Sequence, residues 1–491
     1  MRLFVFIALI LQSLLSANAS DKPARRAPFY QEVNENHDIR FLNTGLVALQ
    51  KRLDLIEQAQ KQIEFEYFIV HADKSTRLLL QALVRKAKQG VKVRVLVDYL
   101  FVGTQITPFF IHELEKVGVQ VRYYNPVPLA SLPSVHYRNH RKLLSVDDQV
   151  ALVGGRNLRD RYFDLHSEFN YIDRDMVVDG PIVKTIRASF DEFWNSSFSK
   201  ALPRPKKPHL NDLVYRKGSR LEANRKYRED LFRWNKNEVE AQEFIIESKQ
   251  DLALKQRVAA ATNSDLKNLP GGNCNKLVFA SDVPGVGAWA QDRNLRLSSE
   301  VTFEWMTSAK TEILKESAFV IINNQTKDLL QEILDRDVNI KIMTNSFYST
   351  DLMLTTSIFF DRASKWIERG ISFAAYSGDR MPNHEVFEDM VGESRWGIHS
   401  KSSLIDDESF MIGSLNFDPR SFNWSSELVL ICYDEKLTGM LKESIEKRWD
   451  NSIELQTAES VAKHRFDRVG LLNRLGHYLI KFPASFLDHH L

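Results

Sequence analysis

Cysteine, long apolar runs and an excess of one charge are all scarce in this sequence of 491 residues. There are only two cysteines, Cys274 and Cys432, and this excludes the disulfide framework of a small secreted scaffold. Cys432 lies in an apolar run and is expected to be a buried small residue, while a single bridge to Cys274 stays open. Basic residues number 66 and acidic residues 64, so the composition does not favour a nucleic-acid-binding protein.

The N-terminal apolar run covers residues 3–15 and is short for a membrane span. Arg2 precedes it, and Ala17 and Ala19 follow at the spacing of a small-residue cleavage site, which is typical of a secretory signal. We therefore predict a signal peptide over residues 1–19 and an exported protein that is periplasmic, membrane-associated in the bacterial envelope or secreted. An uncleaved N-terminal anchor is the alternative.

A short polar motif occurs twice in the sequence. Five of its positions recur at a constant offset of 259 residues: His140 and His399, Lys142 and Lys401, Asp147 and Asp406, Gly154 and Gly413, and Asn157 and Asn416. The flanking segments also repeat, because residues 59–66 match 309–316 and residues 91–95 match 338–342 in the same helix and strand order. Length and repeated order together predict an α/β protein with two duplicated lobes.

The order of these segments predicts the domain organisation. We expect an irregular leader over residues 20–40, a first lobe over 41–200 and a charged, helical linker over 201–275. A second lobe over 276–455 and an amphipathic tail over 456–491 follow. The linker is interpreted as a solvated connector, with a substrate lid as the alternative. The tail either lies in a membrane interface or docks on the protein itself, since both would use the same periodicity.

The paired His-x-Lys motifs predict an anion site. Strand alternation points His140 and Lys142 to one face, and a lysine ammonium only donates hydrogen bonds and repels metal cations. Two copies would surround a phosphodiester with ammonium and amide donors. One neutral imidazole would then attack phosphorus while the other, protonated, gives its proton to the leaving alkoxide. No metal and no cofactor is expected.

The duplicated pattern His-x-Lys-x4-Asp-x6-Gly-Gly/Ser-x-Asn resembles that of the phospholipase D superfamily. Residues 138–142 and 416–421 are most similar to the corresponding segments of bacterial cardiolipin synthases. The resemblance implies two phospholipase D-like α/β/α sandwich lobes, related by a pseudo-twofold axis around one shared active site. It also implies a phosphohistidine intermediate and a reaction without metal.

The resemblance further implies roles for individual residues. His140 is expected to be the nucleophile and His399 the general acid, with Asp147 and Asp406 completing the two catalytic motifs. The residues expected to hold the substrate phosphate are Lys142, Lys401, Asn157, Asn416, Gly155 and Ser414.

An acid that orients one imidazole is also implied. Glu427 matches it, eleven residues after Asn416. Its counterpart in the first lobe is open: Glu168 has the same spacing from Asn157, whereas Asp175 better matches the strand pattern.

These expectations converge on a phospholipid-processing enzyme that works at a membrane surface and is active as a monomer. We expect phosphatidyl transfer of the cardiolipin synthase type, or hydrolysis of the phosphodiester through the same intermediate. The substrate would be phosphatidylglycerol, phosphatidylethanolamine or a cardiolipin-type lipid. A nuclease of the same superfamily is the alternative, disfavoured by the neutral charge balance. A non-catalytic scaffold that binds anionic lipids is less favoured, because a scaffold does not need two histidines in register.

Overall fold

The computed structural model describes residues 28–102, 105–127, 136–217, 220–286 and 296–470. The predicted signal peptide and residues 471–491 of the predicted tail lie outside these ranges. Among the helices inside them, none has the length and apolar character needed to cross a membrane.

Strands and helices alternate along the described chain as the periodicity predicts. The strands are β1 (Tyr30–Val33), β2 (His37–Leu42), β3 (Gln62–Tyr67), β4 (Lys92–Asp98), β5 (Val119–Tyr124), β6 (Arg138–Asn139), β7 (Leu143–Val146), β8 (Val150–Gly154), β9 (Phe169–Ile172), β10 (Asp175–Asp179), β11 (Ser199–Lys200), β12 (Gly271–Cys274), β13 (Leu277–Ser281), β14 (Glu312–Ser317), β15 (Asn339–Asn345), β16 (Ile371–Tyr376), β17 (Arg395–Ile398), β18 (Lys401–Ile405), β19 (Ser409–Gly413), β20 (Ser425–Ser426), β21 (Leu428–Tyr433) and β22 (Ser452–Leu455). The helices are α1 (Gly45–Gln58), α2 (Lys74–Lys88), α3 (Tyr99–Val102), α4 (Pro108–Lys116), α5 (Val183–Asn195), α6 (Leu210–Lys217), α7 (Arg220–Ile245), α8 (Lys249–Lys267), α9 (Leu297–Thr307), α10 (Asn324–Leu334), α11 (Met353–Ile367), α12 (Glu388–Val391), α13 (Pro419–Asn423), α14 (Glu435–Asp450) and α15 (Ala458–His464), and a 3-10 turn lies at Asp160–Tyr162.

Two nine-stranded sheets form the two lobes. The first has the strand order β11-β5-β4-β3-β7-β8-β10-β2-β12, and the second has β22-β16-β15-β14-β18-β19-β21-β13-β1. In each sheet three adjacent strands are parallel, β3 to β5 and β14 to β16, and their other neighbours are antiparallel. The two orders match strand for strand, which confirms the prediction of two duplicated α/β lobes.

Apolar side chains fill three layers between and outside the sheets. Helices α1, α2, α4 and α8 cover the outer face of the first sheet, and α9, α10 and α11 cover that of the second. The inner faces of both sheets, with α5 and α14, share one central core in which Phe41 contacts Phe410 at 5.3 Å between ring centroids. Each lobe is therefore an α/β/α sandwich, and the lobes are joined through a shared apolar core.

The two sheets also exchange their edge strands. Tyr30–Val33 pairs with β13 of the second sheet, and Gly271–Cys274 pairs with β2 of the first. The irregular leader expected over residues 20–40 is therefore wrong for its later part, where β1 and most of β2 lie. The short alternating segments of β1 and β2 were missed because the edge strands acquire partners only from distant parts of the chain.

A disulfide and a buried ion pair cross between the lobes. Cys274 in β12 is bonded to Cys432 in β21, closing 158 residues of chain. The bridge that the sequence left open is thus formed. Arg174, beside β10, reaches into the second lobe and places its guanidinium 2.6 Å from the Glu316 carboxylate, with both side chains fully buried.

The linker helices α6 to α8 pack on the first lobe. The Phe244 ring of α7 contacts the Phe110 ring of α4 at 5.1 Å, and Arg77 of α2 pairs with Asp251 of α8 at 3.0 Å. Ser248 and Asp251 form a reciprocal capping box at the start of α8, which explains the break between the two helices.

Candidate active site

His140 is positioned by a two-stranded parallel ladder that joins the lobes. Strand β6 of the first lobe pairs with β20 of the second, with Asn139 opposite Ser426. The His140 backbone N–H donates to the Ser426 carbonyl at 2.9 Å, so the next residue, Glu427, lies beside the imidazole. Glu427 Oε2 accepts from His140 Nδ1 at 2.9 Å. The acid of the second motif copy therefore orients the histidine of the first.

His399 is positioned by the mirror arrangement. Strand β17 of the second lobe pairs in parallel with β9 of the first, with Ile398 opposite Ile172. The His399 backbone N–H donates to the Ile172 carbonyl at 2.8 Å, and Asp173 follows directly. Asp173 Oδ2 accepts from His399 Nδ1 at 2.6 Å. The Nδ1 atom of each imidazole is thus held by a carboxylate of the opposite lobe. The Nε2 atom of each ring is left to react with a substrate.

Neither acid that the sequence favoured in the first lobe orients a histidine, and this is a correction. Asp175 is fully buried and pairs with Arg52 at 3.0 Å and with Arg156 at 3.1 Å. Glu168 has a side chain that is 79% exposed. Asp173 orients His399 instead, the role that the sequence assigned to either Asp175 or Glu168.

An insertion in the first lobe explains why the spacing misled us. Gly154 pairs with Asp175 as Gly413 pairs with Val429, and this register makes Asp173 the counterpart of Glu427. The offset between copies falls from 259 at the glycines to 254 at these acids, so five residues are added before β10. Aligning β10 with β21 by their apolar residues would have found Asp173.

The two small residues expected to contact phosphate instead serve the acids. A Cβ at Gly155 would collide with the Asp173 carboxylate, so only glycine fits there. At the equivalent position the Ser414 hydroxyl donates to Glu427 Oε2. Gly155 and Ser414 thus help to seat the two orienting acids, and their contact with the substrate phosphate stays a prediction.

Both motif lysines are buried in the same cluster. Lys401 Nζ lies 3.1 Å from His399 Nδ1, and each ammonium donates to the carbonyl of its own motif histidine. Burial lowers the pKa of Lys142 well below its ordinary value and that of Lys401 to about 8. Two desolvated ammonium groups that approach each other make a site suited to an anion.

Both motif asparagines are buried, and Asn157 contacts a tyrosine that sequence reasoning missed. Asn157 accepts from the Ile69 N–H at 3.1 Å and donates to Tyr162 Oη at 3.1 Å. Tyr162 Oη is 3.5 Å from His399 Nε2, and its ring stacks on that of Tyr171 with centroids 4.6 Å apart. Tyr162 follows the motif by five residues, a spacing that a search for charged groups does not detect.

The motif aspartates lie outside the cluster, in contrast to our expectation. Asp147 accepts three backbone N–H groups at residues 60–62, with distances of 2.6 to 2.8 Å. Asp406 does the same for the N–H groups of residues 310–312, at 2.7 to 3.0 Å. Five residues of extended chain separate each from its lysine, which is about 16 Å. Both aspartates brace the sheet and do not contact the reacting groups.

The two histidines differ in their electrostatic setting. Burial, reinforced by the cationic Lys142 and Lys401, lowers the pKa of His140 well below its ordinary value. Burial and Lys401 lower the pKa of His399 to about 4, although Asp173 acts in the opposite direction. A neighbouring carboxylate thus opposes the lowering at His399, whereas the main influences on His140 include no such carboxylate.

The two partner acids differ as well. Burial raises the pKa of Glu427 to about 7 against the opposing effect of Lys142. The pKa of Asp173 is lowered, because the nearby His399 and Lys401 outweigh its burial. An ionised carboxylate thus stands beside His399, which favours a proton on that imidazole.

Comparison with known proteins agrees with this geometry. Residues 53–194 and 303–449 match the sequence profile of the family described as cardiolipin synthase, PLD-like domain. Cardiolipin synthase C of Escherichia coli K12 is 26% identical over 87% of this chain and 88% of its own, and the major cardiolipin synthase ClsA of Bacillus subtilis 168 is 25% identical over 84% and 69%. Phosphatidylserine synthase of Haemophilus influenzae Rd KW20 superposes with a TM-score of 0.61, at 11% identity, over 94% of this chain and 98% of that one. The chain belongs to the PLD-like family of cardiolipin synthases, and it is a phospholipase D-type enzyme.

Proposed function

We propose that this enzyme transfers a phosphatidyl group from one phospholipid to an alcohol acceptor, in the manner of a cardiolipin synthase, through a phosphohistidine on His140. The observation that carries the proposal is the crosswise cluster, in which two imidazoles are each oriented by a carboxylate of the opposite lobe. Two buried lysines of the same cluster supply the positive charge that a phosphodiester needs.

The first step uses the two Nε2 atoms in different roles. The lone pair of His140 Nε2 attacks phosphorus, and the bond from phosphorus to the leaving alcohol oxygen breaks as the phosphorus–nitrogen bond forms. His399 Nε2 gives its proton to that oxygen. In the second step the acceptor hydroxyl returns a proton to His399 Nε2, and its oxygen displaces His140 from phosphorus.

The asymmetry of the acids supports this division of roles. Burial and Lys401 lower the pKa of His399 in the free enzyme, but ionised Asp173 and the negative charge of a bound phosphodiester both act in the opposite direction, and together they favour a proton on this imidazole in the substrate complex. Burial and the two lysines lower the pKa of His140, so it stays neutral, as a nucleophile must. Lys142, Lys401, Asn157 and Asn416 then hold the two unesterified oxygens of the phosphate.

The relatives support a phospholipid as substrate. Cardiolipin synthase C of Escherichia coli aligns with nearly the whole length of this chain, as expected for proteins with a common domain plan. Phosphatidylglycerol is then both donor and acceptor, with phosphatidylethanolamine as a second donor. Water at the acceptor position would give hydrolysis and phosphatidic acid instead.

The place of action is part of the proposal. The inter-lobe disulfide supports an oxidising compartment outside the cytoplasm, because such bonds persist there. The enzyme works as a monomer on a membrane surface, since one chain supplies both motif copies.

Incubation with labelled phosphatidylglycerol, with and without phosphatidylethanolamine, tests the proposal by separation of the lipid products. We expect cardiolipin from the purified chain, and none from His140→Ala or His399→Ala. Phosphatidic acid alone would mean that water is the acceptor. Cleavage of single-stranded DNA without any lipid product would contradict the proposal and favour the nuclease.

A further inference from the structure

Helix α7 of the linker carries a row of exposed apolar side chains. Leu221 is 83% exposed, Phe232 70%, Val239 49% and Ile246, directly after the helix, 63%. At 100° per residue these four positions fall within about 40° of one another around the helix axis. Only two other large hydrophobic residues of the described chain, Leu252 and Tyr433, are comparably exposed. The row is therefore a feature of this helix and not a general property of the surface.

The opposite side of α7 carries the buried side chains that pack the helix against the first lobe. Ala223, Ala241 and Phe244 are buried, and they lie about 140° to 200° around the axis from the row. The row thus faces directly away from the first lobe. Nothing in the packing of the lobe requires apolar side chains there, and water contact disfavours them.

Basic residues share this outward face. Arg225, Arg228 and Lys236 are exposed and lie within about 60° of the apolar row, together with one exposed acidic residue, Glu243. Lys236 has an ion pair with Glu240 at 3.7 Å, a distance at which the ammonium is still available to other anions. Apolar side chains interleaved with arginine and lysine are typical of a helix that lies in the headgroup region of an anionic membrane.

The position of α7 relative to the active site fits this use. Arg77, at the start of α2, donates to two carbonyl groups at the end of α7. Trp234 of α7 contacts Phe109, at the start of α4, with ring centroids 5.8 Å apart. Helices α2 and α4 begin at the carboxyl edge of the first sheet, where Asp98 accepts from the Asn139 N–H beside the motif histidine. Helix α7 therefore contacts both of the helices that begin at the edge of the lobe where the catalytic cluster lies.

We propose that the outward face of α7 rests on the surface of a bilayer that contains anionic phospholipid, and so brings lipid headgroups near the catalytic cluster. The inference rests on the proposed function for one point, that the substrate is a membrane phospholipid. A second copy of the chain is the weaker occupant, because paired helices need two apolar positions in every seven residues and this face offers one. The arginine and lysine side chains beside the row favour contact with lipid phosphate groups over contact with the apolar surface of a second helix.

Vesicle flotation tests the proposal independently of turnover. The variant Phe232→Gln/Val239→Gln/Ile246→Gln is compared with the wild-type chain on phosphatidylcholine vesicles with and without one third phosphatidylglycerol. We expect at least tenfold weaker binding to the anionic vesicles and unchanged turnover of short-chain lipid dispersed in detergent. Lys226→Gln/Arg233→Gln is the matched control, since these residues lie on the flank of α7 and pair with Asp230.

Each other result has a defined meaning. Wild-type binding by the triple variant would overturn the proposal and assign membrane contact to another segment, such as residues 471–491. A wild-type dimer that becomes monomeric in the triple variant, with vesicle binding unchanged, would assign the row to a second copy and would also overturn it. Binding that follows our expectation while the chain leaves phospholipids unchanged would contradict the proposed function alone.

Discussion

At the residue scale, the decisive difference between the two motif copies lies in the acids that orient their histidines. His140 faces Glu427, whose pKa burial raises to about 7, and His399 faces Asp173, whose pKa is lowered. A protonated imidazole is stabilised by an ionised carboxylate and gains much less from a neutral carboxylic acid. This difference supports the different roles that we propose for the histidines of two nearly identical motifs.

The first prediction separates those roles with a substrate that carries a good leaving group, such as a nitrophenyl phosphodiester. His399→Ala should still form the phosphoenzyme, and the adduct should accumulate, because its breakdown lacks a base. His140→Ala should form none. Intact-mass analysis after mixing measures the adduct. An adduct on His140→Ala and none on His399→Ala would reverse the assignment, and its absence from both would remove the covalent mechanism.

The second prediction concerns Asp173→Asn. Loss of the negative charge lowers the pKa of His399, so the alkaline limb of the pH–rate profile, where the acid loses its proton, should move to lower pH by about one unit. The rate should fall about 100-fold, since general acid catalysis is weakened. Glu168→Gln is the control, because this exposed side chain is remote from the imidazole, and it should behave as wild type. An unchanged profile for Asp173→Asn would deny its role in positioning His399.

At the scale of elements, each motif hairpin is organised from both ends. One end presents the histidine and the lysine, and the other ends in an aspartate with a positive backbone φ, 55° at Asp147 and 54° at Asp406. Each aspartate accepts the N–H groups that lead into the neighbouring strand, β3 or β14. These hydrogen bonds hold the hairpin and that strand in register. The aspartate therefore helps to position the histidine and the lysine without contacting them.

The third prediction concerns Asp406→Asn. Burial tends to raise the pKa of Asp406, but the N–H groups of residues 310–312 outweigh it and lower the pKa below the ordinary value. A lowered folded-state pKa adds stability above the unfolded value of about 3.9, and this stability is lost as pH falls through the folded value. The variant should lose about 1 kcal/mol at neutral pH, after allowance for solvent screening, and less near pH 3.

Urea unfolding at several pH values measures this loss, and lipid turnover of the folded variant should stay within about threefold of wild type. A loss of turnover as large as that of Lys401→Ala, without loss of stability, would return Asp406 to the catalytic machinery.

At the scale of the whole molecule, the lobes are interlocked and do not form two independent domains. They exchange edge strands, share a central core and are joined by the fully buried pair of Arg174 and Glu316. A shared site needs this rigidity, because each imidazole is oriented by the opposite lobe and a small shift would separate it from its acid.

The fourth prediction tests the covalent link between the lobes. Cys274→Ser/Cys432→Ser should unfold at lower urea concentration, with a loss of about 2–4 kcal/mol in the free energy of unfolding. Reduced wild-type protein should match the variant. Equal stability of the oxidised and reduced chains would show that the strand exchange and the core suffice without the bond.

The fifth prediction concerns compartment. Protein isolated from its native cells should begin at Ser20 and carry the disulfide, as mass analysis of the intact chain and its peptides would detect. A chain that begins at Met1 with both thiols reduced, in the soluble cytoplasmic fraction, would contradict export.

The sequence by itself determined the duplication, the α/β class of both lobes and the identity of the paired histidines, lysines and asparagines. These follow from local signals, namely apolar periodicity and a motif whose spacing is the same in both copies. Because these signals are local, they also made the motif aspartates look catalytic. Spacing along the chain does not show which end of a hairpin faces the active site.

Only the tertiary structure decided the partners of the two histidines. Asp173 is separated from His399 by more than two hundred residues and reaches it through a parallel ladder between lobes. The exchanged edge strands and the disulfide likewise join segments far apart in the chain. Such pairings depend on how two folded lobes meet, and the free energy of that meeting comes from buried contacts that no short stretch of sequence contains.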